Sequence, residues 1–152
     1  KGFTLLELLV VIVIVAILAA LMVPSLAGNS GRDAADSARR MVLLINQAQQ
    51  EAVLSSRVWR IVFDPEADSY HFGRRAGSDF ESVSLTPFAG EHVLPTVSLE
   101  HLEINGESVS EAAEIYLFPT GEQDAFRLTL SGGDQVYGIV MGPVGPARLE
   151  QL

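Results

Sequence analysis

The order of apolar and polar residues changes character twice along the chain. From Phe3 to Val23 the sequence is apolar almost without interruption, and Glu7 is the only charge inside the run. Such a run predicts a helix with no polar face. A helix from Phe3 to Leu26 is about 36 Å long at 1.5 Å per residue, enough to cross a hydrocarbon layer of about 30 Å. Pro24 lacks an amide hydrogen and collides with the preceding turn. Gly28 and Gly31 follow, flanking Asn29 and Ser30. A bend or partial melting of the helix is therefore expected between Val23 and Gly31.

The period then becomes helical. Ala34, Ala38, Met41, Val42, Ile45, Ala48, Ala52 and Val53 recur at the spacing of one apolar stripe, which predicts an amphipathic helix packed on a sheet. Ser30 or Asp33 is placed to cap its start. Asp33 and Asp36 suit the positive end of the helix dipole, and Arg57 suits the negative end. From Val58 the period is two. Trp59, Ile61 and Phe63 share one face of a strand, and Val58, Arg60 and Val62 share the other. "DPEAD" reads as a turn and "SYHFGRR" as the returning strand. "SVSLTPF" and "VSLEHLEIN" are weaker strand candidates; "AEIYLFPTGE", "AFRLTLSGGDQ" and "VYGIVMGPV" are clearer, with Ser131–Asp134 as a hairpin turn. Phe80–Gly90 is expected to form the longest loop. A helix followed by strands predicts an α+β fold. In it a long N-terminal hydrophobic helix continues into the amphipathic helix, which packs on an antiparallel sheet.

Composition narrows the partners. Of the 152 residues, those beyond the first 25 or so suit a single domain. The net charge is −9, and Lys1 is the only lysine. The region after Pro24 is acidic and lacks the basic stripe that a nucleic-acid backbone demands, so no nucleic acid is expected as a partner. There is no cysteine, which excludes disulfides and thiolate metal sites.

The apolar run admits three readings: a signal peptide, a buried core helix or a membrane helix. "LAALMVPSLAG" offers a loose cleavage region, but the run exceeds an ordinary signal-peptide core. A core helix buried on all sides would be unusual in so small a protein. A membrane helix that later packs among similar helices is the reading that remains strongest. Glu7 is costly in that setting, roughly 2.5–3.5 kcal/mol at the centre of a span. Either it lies close enough to the end of the span to reach headgroups, or it meets an opposite charge.

Elsewhere the residues that carry chemistry are scattered. His71, His92 and His101 have no partner three or four residues away, so a zinc site is not expected. No serine lies in a nucleophile elbow. "DPEAD", Asp64–Asp68, begins like a calcium loop but lacks its turn glycine and closing glutamate, and is expected to be a turn. Arg74-Arg75 is a basic pair in acidic surroundings, either solvated or a docking contact. "FPTGE", Phe118–Glu122, reads as a turn closing a strand. No active site, metal or cofactor is expected, and the chain is not expected to be an enzyme.

"KGFTLLELLVVIVIVAILA" resembles the type IV prepilin signature: a basic residue and glycine, then phenylalanine, threonine, two leucines, glutamate and an apolar run. The resemblance implies that prepilin peptidase cuts between Gly2 and Phe3, leaving residues 1–2 as the remnant of a leader, and that the Phe3 amine is methylated. It also implies a role for Glu7 in assembly, neutralising such an amine on an adjacent helix; an unpaired charge in an apolar setting is expensive. Pro24 would be the helix kink.

The tail, "IYLFPTGEQDAFRLTLSGGDQVYGIVMGPVGPARLEQL", is similar to that of the GspH-type minor pseudopilins of type II secretion, within the type IV pilin-like superfamily. Major pseudopilins carry an acidic calcium loop near the C-terminus, and none is found after Val136. The implied organisation is a transmembrane and filament-core helix over 3–27 and a periplasmic α+β domain over 28–152, anchored in the bacterial inner membrane. The implied function is that of a structural subunit at or near the tip of the pseudopilus, supporting export of folded proteins. Its partners would be other minor pseudopilins and the major pseudopilin. A minor pilin of a type IV pilus, including the DNA-uptake kind, is the alternative.

Overall fold

The computed structural model describes residues 9–15, which are helical, and residues 30–152. Helix α1, Ser30–Ser55, carries Asp33 within its first turn. Ala34, Ala38, Met41, Ile45, Ala48 and Ala52 are fully buried, which matches the expected stripe. Val53 departs from it. It is 45 % exposed, while Leu44 is buried, because the stripe drifts around the helix at 3.6 residues per turn. The helix ends on Ser56, whose φ of 52° is left-handed. The Arg57 amide reaches back to the Ala52 carbonyl and the Ser56 amide to that of Val53. This is the Schellman arrangement, with serine in the place glycine usually takes.

Ten strands follow: β1 Trp59–Asp64, β2 Ser69–Ala76, β3 Asp79–Ser82, β4 Glu91–Val93, β5 Ser98–Ile104, β6 Glu107–Val109, β7 Ala113–Leu117, β8 Phe126–Gly132, β9 Gln135–Met141 and β10 Arg148–Gln151. The fold is α+β with antiparallel pairing, but it has two sheets where the sequence reading had one. The first has the order β3-β2-β1-β7 with β4 also on β2; the second is β10-β9-β8-β5-β6. One helix covers both, so the core is continuous from Ala34 to Ala147. Trp59, Ile61 and Phe63 point into it as the alternation predicts. Phe63 packs on Tyr70 in the first sheet and on Phe126, 5.6 Å away between ring centroids, in the second.

Two expectations about the middle of the chain are corrected. Phe80 belongs to strand β3, paired with Arg75, so the irregular segment begins after Ser82. "SVSLTPF" forms no strand beyond its first residue. Its Val83 and Phe88 are buried instead. Phe88 sits edge-on against Trp59, at 5.0 Å, and Phe72, at 5.2 Å. Aromatic anchoring of this kind holds a segment in place without a hydrogen-bond ladder.

Side-chain hydrogen bonds join the two sheets. The Asp68 carboxylate accepts from the Leu99 amide at 2.8 Å and from the Ser98 hydroxyl at 3.3 Å. At the other end, the Asn105 side chain accepts from the Ala125 amide at 3.1 Å, and Asp124 accepts from the Tyr116 amide at 2.9 Å.

Tyr70 is 2 % exposed. Burial pushes its phenol up to about 12, against a smaller downward pull from Arg40. The unfolded chain therefore ionises first, near the ordinary value of 10.0. Stability from this group is complete below that pH and is lost as the pH rises towards 12. Urea midpoints measured at pH 9 and pH 11 should differ less in Tyr70→Phe than in the wild type.

Candidate assembly surface

The residues that the sequence singles out for processing and assembly, Gly2, Phe3, Glu7 and Pro24, lie outside the described residues. So do most of the 3–27 segment and its junction with the domain. Within 9–15 the side chains are all apolar and 45–60 % exposed, with Ile12 the most exposed. Among the described residues no helix is long and apolar enough to cross a membrane.

Helix α1 carries a second apolar feature, on the side away from the sheets. Leu43 is 62 % exposed and Leu54 78 %. Gln49, Gln50, Val53 and Leu54 line a shallow groove of about 320 Å³ there. Exposed leucines on a helix whose opposite face is already buried mark a contact surface more than a stability device. The sequence signal was present: Leu43 and Leu54 fall eleven residues, three helical turns, apart.

Amide side chains fasten residues 142–147 to this helix. Asn46 donates to the Ala147 carbonyl at 3.2 Å and accepts from the Ala147 amide at 2.8 Å. Gln49 donates to Oε1 of Gln123 at 2.6 Å. Gln123, buried, donates to the carbonyls of Gly142 and Gly145, both at 2.8 Å. Residues 142–147 are thus held by side chains, together with a single backbone bridge between Glu122 and Val144. The sequence reading missed these three amides, since each looks like an ordinary polar residue when seen alone.

The remaining candidates resolve as local structure. The Asp64 carboxylate accepts from the amides of Glu66 and Ala67, both at 3.0 Å, which makes "DPEAD" a turn capped by its own aspartate. "FPTGE" is a turn as well: the Gly121 amide reaches the Phe118 carbonyl at 3.0 Å, with Gly121 at a φ of 85°. His101 lies beside Glu103. His92 stacks on Tyr70 at 4.8 Å; burial lowers its pKa, against a hydrogen bond to the Phe88 backbone that raises it. Among the described residues no three His, Asp or Glu side chains gather as a metal site.

Comparison with known proteins adds to this geometry. Residues 1–23 match the prokaryotic N-terminal methylation motif. Residues 37–145 match the family described as type II transport protein GspH. Type II secretion system protein H of Aeromonas hydrophila is 28 % identical, over 88 % of this chain and 82 % of that protein. Among solved structures, the minor pseudopilin EpsH from the type 2 secretion system of Vibrio cholerae shares the fold. One of its structures has a TM-score of 0.66 at 18 % identity, covering 78 % of this chain and 97 % of that one. The type IV minor pilin FimU of Pseudomonas aeruginosa is more distant, with a TM-score of 0.56 at 13 % identity, covering 80 % and 91 %. The family match covers most of the described domain, and so the chain belongs to the GspH family of type II transport proteins, with the fold of a minor pseudopilin.

Proposed function

We propose that the protein is a structural subunit at or near the tip of the type II secretion pseudopilus, where it supports export of folded proteins across the outer membrane. The observation that carries this reading is the pairing of a methylation motif over residues 1–23 with a GspH domain over residues 37–145. Residues 3–27 hold the subunit in the inner membrane before assembly, and residues 28–152 face the periplasm. The protein works by packing against other minor pseudopilins and the major pseudopilin, not by catalysis.

Prepilin peptidase cuts between Gly2 and Phe3, where a side chain on residue 2 would obstruct approach to the scissile backbone. The Phe3 amine is then methylated and meets the Glu7 carboxylate of a neighbouring subunit. Pro24 loosens the helix between the filament core and the domain. Mass spectrometry of the protein from cells carrying its secretion genes should find a mature chain beginning at N-methylated Phe3. A chain beginning after Ala27 would indicate ordinary signal-peptide cleavage and overturn this reading.

A further inference from the structure

The outer face of the first sheet, turned away from α1, holds a cluster unlike the rest of the surface. Arg60 lies across the strand from Gly73 on one side and Tyr116 on the other. A Cβ on Gly73 would stand 2.9 Å from Nε of Arg60 and 3.0 Å from its Cγ. The missing side chain is therefore what lets the arginine lie flat on the sheet. Arg60 donates to Glu114 at 2.7 Å, and Glu114 also accepts from the Tyr116 hydroxyl. The Phe80 ring covers the assembly. It lies 4.7 Å from the Arg60 guanidinium carbon, 5.3 Å from that of Arg75 and 5.7 Å from the Tyr116 ring.

Arg75 is the open end of this cluster. Arg39, Arg60, Arg74 and Arg127 each pair with a carboxylate. Among the described residues Arg75, like Arg40, Arg57 and Arg148, has no such partner, and of these four only Arg75 has its guanidinium held over an aromatic ring, that of Phe80. An arginine fixed on an aromatic face loses less freedom when its planar fork meets a carboxylate. Half-exposed Phe, Tyr and Arg together form the composition of interface hot spots. The chain's net charge is −9, so an acidic partner is repelled by the molecule as a whole and meets at Arg75 a guanidinium that no carboxylate among the described residues neutralises. That contrast sets orientation as well as attraction.

We propose that the face centred on Phe80 and Arg75 docks a carboxylate-bearing segment of a neighbouring pseudopilus subunit. The identity of the partner as a filament subunit rests on the function proposed above; the chemistry of the face does not.

The test uses the full chain in cells carrying its secretion genes. A photoreactive phenylalanine analogue replaces Ser82, which lies opposite Gly73 on the same face. In a second strain it replaces Leu43, on the outer side of α1. The adduct from position 82 should map to another pseudopilin within a few residues of an aspartate or glutamate. Arg75→Glu should cut its yield at least about fivefold, Arg75→Lys should have a smaller effect, and the Leu43 adduct should stay unchanged. Gly73→Ala, which lifts Arg60 away from Phe80, should also reduce it. An adduct from position 82 that survives Arg75→Glu, or that maps far from any acid, overturns the proposal. So does its absence while the Leu43 adduct forms, and in that case the pseudopilin reading stands. Absence of both adducts overturns the two together.

Discussion

Phe63→Ala should destabilise the domain by about 3–5 kcal/mol, the usual cost of emptying a buried aromatic site. Phe63 is fully buried and bridges the sheets, touching Tyr70 in the first and Phe126 in the second. Its loss opens a cavity at the point where the layers meet, and neither sheet can close it without breaking its own ladder. For a domain of this size the melting temperature should fall by roughly 10–20 °C. Phe80→Ala, which removes a half-exposed ring on the outer face, makes the control and should shift it much less. Thermal unfolding followed by circular dichroism decides between them. Equal shifts would mean that the two sheets do not share one core.

Glu7→Gln should abolish most incorporation into the filament while leaving cleavage between Gly2 and Phe3 intact. The substitution keeps shape and hydrogen bonding but removes the charge that the proposed Phe3 amine of a neighbour requires. A buried ammonium left without its partner costs about 3–5 kcal/mol, more than a hundredfold in the equilibrium at a single contact. Glu7→Leu should behave alike in assembly and insert into the membrane more readily, since the costly group is gone. Crosslinking of the mature subunit to its neighbours, together with secretion of an exported protein, measures the effect. If Glu7→Gln crosslinks and secretes as the wild type does, the carboxylate is not there to pair a charge. A subunit at the very end of the filament lacks one neighbour, and would lose its crosslinks on one side only.

The sequence made periodic segments legible because burial there follows one local rule. The α1 stripe, the β1 alternation and the Ser131–Asp134 hairpin turn between β8 and β9 all belong to this group. The second sheet could not be read the same way, because strand partners are chosen by packing between distant segments. Phe80 shows the reason on a single residue. It looked like the start of a loop, and only the Gly73 gap and the arginines across the sheet give its ring a place to lie. Gly2, Phe3, Glu7 and Pro24 rest on a motif, and the described residues do not reach them. Asn46, Gln49 and Gln123 acquire meaning only when the fold sets them beside their partners.

The contact between Asn46 and Ala147 spans 101 residues of chain, and this bears on the order in which the protein is made. Helix α1 leaves the ribosome carrying an amide whose two partners sit on a residue 101 positions further along the chain. A contact of such sequence separation closes late, after the loop entropy has been overcome. Until Ala147 emerges, Asn46 lacks both of its partners and the helix has only part of its cover. The helix is thus fastened along its Asn46 side only after residue 147 has been made. A chain cut short before residue 147 would leave Asn46 without its two backbone partners, and so would be distinguishable from one that reaches it by how firmly its helix is held.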